Sequence, residues 1–299
     1  MTLSKKIKKL QHNPKQFFKD AISKRLPKRP IFSLKKATYE STYKYTIVSA
    51  VYGVEKYIDE FIRSVVNQTT SLKKIQLILV DDGSLDLSAQ KIKSWCKKYP
   101  NNIFYYKKEN GGQASARNFG LQYATGDWVT FTDPDDFLNP EYIEEVDKLI
   151  HLDGAGKVGL VGCKWRLFFE GNNTYSDNHP LNYRFKSGNR IVDPLKDPSF
   201  MVSSPATSFY KMKVLNDFHI RFDERIRPNF EDGHFSGMYL SSLKAELVGY
   251  CAKAIYFYRK RSDGSSTLDN SWNHSGRFDE VMRFCYFDLL SHNQDPGKT

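Results

Sequence analysis

Three carboxylates fall within four residues at Asp133-Pro134-Asp135-Asp136, directly after Trp128-Val129-Thr130-Phe131-Thr132. The preceding run is apolar and β-branched, so it predicts a buried strand with the acids at its carboxyl end. Acids this close repel one another and raise one another's pKa unless a metal or basic groups offset the charge. The stretch is therefore either a cation site or a well-solvated turn, because Asp and Pro are also ordinary turn residues. A second acidic pair, Asp81-Asp82, closes the apolar run from Ile75 to Val80 and is followed by Gly83-Ser84. A third, Glu231-Asp232, stands in Arg227-Pro228-Asn229-Phe230-Glu231-Asp232-Gly233-His234. A carboxylate there can take a proton from an attacking hydroxyl. Glu and Asp equally favour the first turn of a helix, where they meet the positive end of its dipole.

The elements that must position these acids alternate from Tyr45 onward. Thr46 to Val51 predicts a strand, and Tyr57 to Val66 a helix with Ile58, Phe61, Ile62, Val65 and Val66 on one face. Ile75 to Val80 is a second strand. Ile92, Trp95 and Cys96 mark a helix, Ile103 to Tyr106 a strand, and Asn110-Gly111-Gly112 a turn before a helix from Ala114 to Ala124. Such alternation predicts an α/β fold, a mostly parallel sheet with flanking helices on both faces. In open sheets of this kind ligands sit beyond the carboxyl ends of the strands. Asp81-Asp82 and Asp133 to Asp136 should therefore share one edge. Gly111-Gly112 lets backbone approach a ligand there, and Arg117 can aim a guanidinium at the same crevice. Further on, 157–169 predicts a long strand, 171–198 a mobile loop over the site, and 274–290 a closing amphipathic helix.

The formal charge of +11 over 299 residues is concentrated in a tail, because residues 1–30 hold ten Lys or Arg and one Asp. Phe17, Phe18, Ala21 and Ile22 share a helical face there, with Asn13-Pro14 as its start and Pro27 as its stop. A basic segment with such a face predicts either a helix lying on an anionic membrane surface or one docked on its own domain. No nucleic-acid partner is expected, since the aromatics are not interleaved along a strand pattern and no recognised nucleic-acid motif accompanies the charge. No charge-free apolar run approaches the roughly 18 residues of a membrane helix, and no apolar segment follows the basic N-terminus as in a secretory signal. Four separated cysteines without a C-x-x-C pair indicate neither zinc nor a disulfide framework. Together these features predict a cytoplasmic protein, peripheral on the inner face of the cell membrane.

Four segments carry a resemblance: Thr46 to Ile62, Val80-Asp81-Asp82-Gly83-Ser84, Gly111-Gly112-Gln113-Ala114-Ser115-Ala116-Arg117-Asn118 and Phe131-Thr132-Asp133-Pro134-Asp135-Asp136. In order and spacing they resemble the family 2 glycosyltransferases, enzymes of the Rossmann-like GT-A fold, including those that build bacterial surface polysaccharides and wall teichoic acid. The resemblance implies a nucleotide-sugar donor, with UDP foremost, bound by Ser49, Val51, Tyr52, Asp82, Gly112, Arg117 and Asp133. In this reading Tyr52 stacks on the base, Asp82 accepts from the uracil imide, and Asp133 faces the ribose. Asp135 is the implied ligand of a divalent cation, Mn²⁺ or Mg²⁺, since oxygen donors favour hard cations. Asp232 is the implied general base of an inverting transfer, with Glu231 supporting it. His234, Arg259, Arg261 and Ser265 are implied contacts of the acceptor or the diphosphate, the acceptor being a glycan or a lipid-linked glycan such as capsule, lipopolysaccharide or a teichoic-acid-like polymer. The chain departs from the family where Ala50-Val51-Tyr52-Gly53 replaces its Pro-x-Tyr-Asn turn.

The expected organisation is a basic helical tail at 1–40, a transferase domain at 41–270 and a C-terminal helix at 271–299. Within the domain, 41–150 is the nucleotide-sugar half and 151–270 the acceptor half. Two rivals remain: transfer from a CDP or GDP donor, and a non-catalytic assembly module. The second should show damage to the acidic triplet or to Glu231-Asp232, and both are intact.

Overall fold

The computed structural model describes residues 43–152, 156–194, 204–226, 231–243 and 246–262. The basic tail, Ser265 and the predicted C-terminal helix lie outside the described residues. In chain order the strands are β1 (Tyr45–Val51), β2 (Ile75–Asp81), β3 (Ile103–Lys107), β4 (Trp128–Phe131), β5 (Phe137–Leu138), β6 (Val158–Phe169), β7 (Thr174–Ser176), β8 (Arg190–Val192), β9 (Ser208–Lys211) and β10 (Leu247–Lys260). The helices are α1 (Ile58–Val66), α2 (Ser88–Lys98), α3 (Gln113–Leu121), α4 (Tyr142–His151), α5 (Met212–Asp217) and α6 (Glu231–Ser242). Among the described residues one sheet contains every strand, in the order β3-β2-β1-β4-β9-β6-β10-β5, with β7 on β6 and β8 on β10.

The first four strands are parallel to one another: β2 pairs β1 and β3, and β1 pairs β4. Strands buried on both faces read as continuous apolar runs, and β1 and β2 are buried along nearly their whole length. Ile58, Phe61, Ile62 and Val65 of α1 recur at helical spacing and are all buried. Each contributes on the order of 1.5–3 kcal/mol by leaving water. On the other face α3 lies so close to β1 that a Cβ at Gly120 would strike the side chain of Val48. Helix α3, with Arg117 on it, is thereby fixed against the strand that leads to the site.

The second half is mixed. The antiparallel β9 bridges β4 and β6, and β6 and β10 then run parallel over a long ladder. The antiparallel contacts are short, so the parallel pairings dominate the sheet.

Over 171–194 the structure corrects the expectation of a loop, and 195–198 lie outside the described residues. Within 171–194, Thr174–Ser176 pairs β6, Pro180–Phe185 forms a 3₁₀ turn, and Arg190–Val192 pairs β10. Its Gly, Asn and Pro residues punctuate short pairings. Between the stretches of β6 occupied by β9 and β7, the Asn182 side chain takes the place of a strand. Its Oδ1 accepts from Trp165 N at 3.3 Å and its Nδ2 donates to Trp165 O at 2.8 Å. Tyr258 to Lys260 are the last residues of β10.

Candidate active site

Asp81 ends β2 and Asp82 follows it, and both are buried. Asp81 accepts from Ser84 N at 2.7 Å and from the Tyr105 hydroxyl at 2.7 Å. Asp82 Oδ1 accepts from Lys108 Nζ at 2.8 Å and Gly111 N at 2.9 Å, while its Oδ2 accepts from Gly112 N at 2.7 Å. A carboxylate offers about four lone-pair sites, so Oδ2 keeps capacity for one further donor. Gly112 has φ +88° and starts α3, a left-handed conformation that glycine adopts without strain. The Asp82 carboxylate thus shapes the glycine turn as well as facing the crevice.

The acidic loop after β4 is held mainly by β10. The Asp133 N–H donates to the Tyr256 hydroxyl at 3.1 Å, and that hydroxyl donates to Asp136 Oδ2 at 2.7 Å. Arg259 donates from its backbone N to Asp136 Oδ1 and from Nε to the Asp135 carbonyl, each at 2.7 Å. Its Nη2 meets Glu60 Oε2 at 2.5 Å, and its guanidinium lies over Tyr57, Phe137 and Phe168. Arg259 is therefore a buried strut behind the loop, its guanidinium engaged by Glu60 and the Asp135 carbonyl. Arg261 does reach the site side, with Nη1 3.5 Å from Asp135 Oδ2.

Charge crowds this loop. Burial raises the Asp133 carboxyl, Arg117 opposes it, and Asp135 and Asp232 add repulsion, so its pKa is pushed up to about 6. Burial, then Asp135 and Asp133, push Asp136 well above the carboxylate range. Among the described residues no three His, Cys, Asp or Glu side chains group as a metal site. Mg²⁺ and Mn²⁺ working on a diphosphate need only one or two carboxylates, the phosphates and water supplying the rest. Asp135, with Asp133 two residues away and repulsion to relieve, fits that demand.

Arg117 joins the two acidic motifs. Buried on α3, it donates from Nη1 to Asp232 Oδ1 at 2.5 Å and from Nη2 to Asp133 Oδ1 at 3.0 Å. Gln113 Nε2 also donates to Asp133 Oδ1 at 3.0 Å. The neighbouring Asn118 accepts from Phe222 N at 2.9 Å and donates to Phe222 O at 2.8 Å. Phe222 in turn stacks on Phe235 of α6, ring centroids 4.0 Å apart. These contacts aim the amino end of α6, and Asp232 with it, at the crevice. Asp232 is partly exposed, whereas Glu231 and His234 are buried beside it.

Of the remaining predicted residues, Tyr52 is 59% exposed at the end of β1, as a stacking surface requires. Ser49 is buried and shares a hydrogen bond of 2.7 Å with Thr132, joining β1 to the root of the acidic loop. Val51 is buried, and its carbonyl accepts from Asp82 N. Lys108, Gln113, Asn118 and Tyr256 were not singled out from the sequence. Lys108, next to the strand end at Lys107, had a local signal in its proximity to the glycine turn; Tyr256 had none, because it reaches Asp136 only through the pairing of distant strands.

Residues 46–218 match the model of the glycosyl transferase family 2. The chain belongs to that family. It is 38% identical over 239 residues to the minor teichoic acid biosynthesis protein GgaB of Bacillus subtilis (strain 168), a match covering 78% of this chain and 25% of that protein. The chain thus spans about a quarter of that relative's length. TarS of S. aureus is a poly(ribitol-phosphate) beta-N-acetylglucosaminyltransferase. Its structure, TarS 1-349 in complex with UDP, superposes with a TM-score of 0.66 at 24% identity, covering 83% of this chain and 65% of that one. The mannosyltransferase PcManGT from Pyrobaculum calidifontis, in complex with GDP-Man and Mn²⁺, gives 0.55 at 17% identity, covering 84% and 66%. These likenesses establish the GT-A fold implied by the four sequence segments.

Proposed function

We propose that the chain is an inverting, cation-dependent transferase that moves a sugar from a UDP-sugar to a hydroxyl of a bacterial surface glycan of the teichoic-acid type. The observation that carries this reading is the Arg117 bridge, which sets Asp232 across one crevice from the acidic loop. Family membership, GgaB's role in minor teichoic acid synthesis and the UDP in TarS support the donor and acceptor classes.

In the reaction Asp232 takes the proton of the acceptor hydroxyl as that oxygen bonds to the anomeric carbon. The bond from that carbon to the phosphate oxygen breaks on the opposite face, and its electron pair leaves with the diphosphate. Asp135, with Asp133 beside it, would hold the Mg²⁺ or Mn²⁺ that neutralises the leaving charge. Arg261 adds a second positive group on that side. Tyr52 and the remaining acceptor capacity of Asp82 Oδ2 receive the base. Arg117 holds the Asp232 carboxylate in place and shares its charge with Asp133.

Asp232→Asn removes the base and preserves the shape. It lowers transfer by about 10²–10⁴-fold and leaves UDP affinity nearly intact by titration calorimetry; full activity in that variant would sink the mechanism. The reading includes peripheral attachment at the inner membrane face through residues 1–30. Deleting them weakens partitioning onto anionic vesicles in a salt-sensitive way, and unchanged partitioning would remove the membrane role.

Among the described residues no helix is long and apolar enough to cross a membrane.

A further inference from the structure

Side chains alternate along a strand, so Leu160, Gly162, Lys164 and Arg166 share one face of β6. Leu160 packs in the same core cluster as Phe235, Met238 and Tyr239 of α6, whereas Cys163 and Trp165 turn to the other cluster. The face that is apolar beneath the helix bearing Asp232 therefore becomes cationic beyond it. A cavity of about 500 Å³ opens there, lined by Lys164, Asp177, His179, Asn182, Tyr183 and Lys186 among others.

The chemistry of this cavity is that of an anion with hydroxyl groups attached. Asp177 Oδ1 lies 3.2 Å from Lys164 Nζ and 3.5 Å from Arg166 Nε, so one carboxylate already sits between two cations. Lys186 pairs with no carboxylate among the described residues. Burial, then Lys260 and Arg184, push the His179 imidazole below its ordinary pKa, so the ring stays neutral and positive charge prevails around it. Tyr183 is 50% exposed at the wall, an aromatic surface against which a polyol carbon chain can lie.

The cavity is also connected to the reaction centre. His179 stacks on Trp165 with centroids 4.7 Å apart, Trp165 meets Tyr256 edge-on at 5.6 Å, and the Tyr256 hydroxyl holds Asp133 and Asp136.

We propose that this cavity is an acceptor subsite that holds a phosphate of a phosphodiester-linked polyol chain while a hydroxyl of another unit lies at Asp232. The proposal rests on the reading of the acceptor given above, so its test is read without transfer. Binding of a fluorescent oligo(ribitol phosphate) to the full chain is measured by anisotropy in the absence of donor. The double variant Lys164→Gln, Lys186→Gln loses about tenfold in affinity or more, and its salt dependence flattens. Asp177→Asn binds the probe more tightly than the unaltered chain, because it removes the competing charge and keeps the side chain's shape. UDP affinity is unchanged in both. Because the two variants move in opposite directions, general damage to the fold cannot produce the pair of results. Equal affinity in all three proteins, or weakening in both variants, overturns the subsite. So does oligothymidylate binding as tightly with the same response, which would mark a surface for any polyanion. If the binding results hold and the unaltered chain transfers no sugar from UDP-sugars to the oligomer, the transfer reading fails and the phosphate site stands.

Discussion

The two acidic motifs at the sheet edge look alike in sequence and are held in opposite ways. After β2, carboxylates receive donors: Asp82 takes two glycine N–H groups and a lysine, and Asp81 a backbone N–H and a tyrosine. Nearby Asp86 is also buried in part, yet hydrogen bonds from Ser88 and from the Glu55 N–H outweigh that burial and hold its pKa below the usual value. After β4 the balance reverses, since burial and like charge win over Arg117 and push Asp133 and Asp136 upward. A carboxylate rich in donors organises its own turn. A group of carboxylates short of positive charge would gain from a cation that arrives with its substrate.

That contrast can be broken most easily at Asp135. Asp135→Asn, or chelation by EDTA, lowers transfer by about a hundredfold or more if the cation neutralises the leaving diphosphate. Mn²⁺ restores the chelated protein but not the variant; activity indifferent to chelator would end the cation reading. Asp82→Asn is expected to act on the frame and on the nucleotide together. Its amide meets N–H groups where an acceptor is required, at a cost of about 1–3 kcal/mol, so both thermal stability and UDP affinity fall while the response to Mn²⁺ is unchanged. The smallest effect belongs to Asp86. A lowered folded pKa contributes stability above the unfolded value of about 4, and that stability is lost as pH falls through the folded value. Asp86→Asn therefore narrows the difference in unfolding free energy between neutral and acid pH, measured by denaturant titration, and a widened difference would contradict the hydrogen-bond account.

The parallel half was legible because burial on both faces writes itself into local sequence. The runs at β1, β2 and β4 and the helical face of Ile58, Phe61, Ile62 and Val65 came within a residue or two of their observed bounds. The acids at the strand ends were visible for the same reason. What the sequence hid is the work done across distance: Arg117 meeting Asp232 over 115 positions, and Tyr256 meeting Asp136 over 120. Arg259 is of the same kind, because its contacts with Asp135 and Asp136 exist only through the place of β10 in the sheet. The segment 171–194 reads as a loop in sequence because its pairings are only a few residues long and carry too little alternation to register as strands. Lys108 could have been noticed beside the glycine turn, but its partner could not.

Asn182 completes a stretch of β6 with a single amide, and this changes how the protein can diversify. A strand edge left open invites another chain to pair with it, and a full strand would tie the local sequence to one register. A side chain closes the edge without either consequence. The residues around Asn182 are then free to lengthen, shorten or change charge while the sheet beneath them stays intact. In evolution, as in engineering, this rim is where one transferase scaffold can be retuned to a new acceptor at little cost to folding.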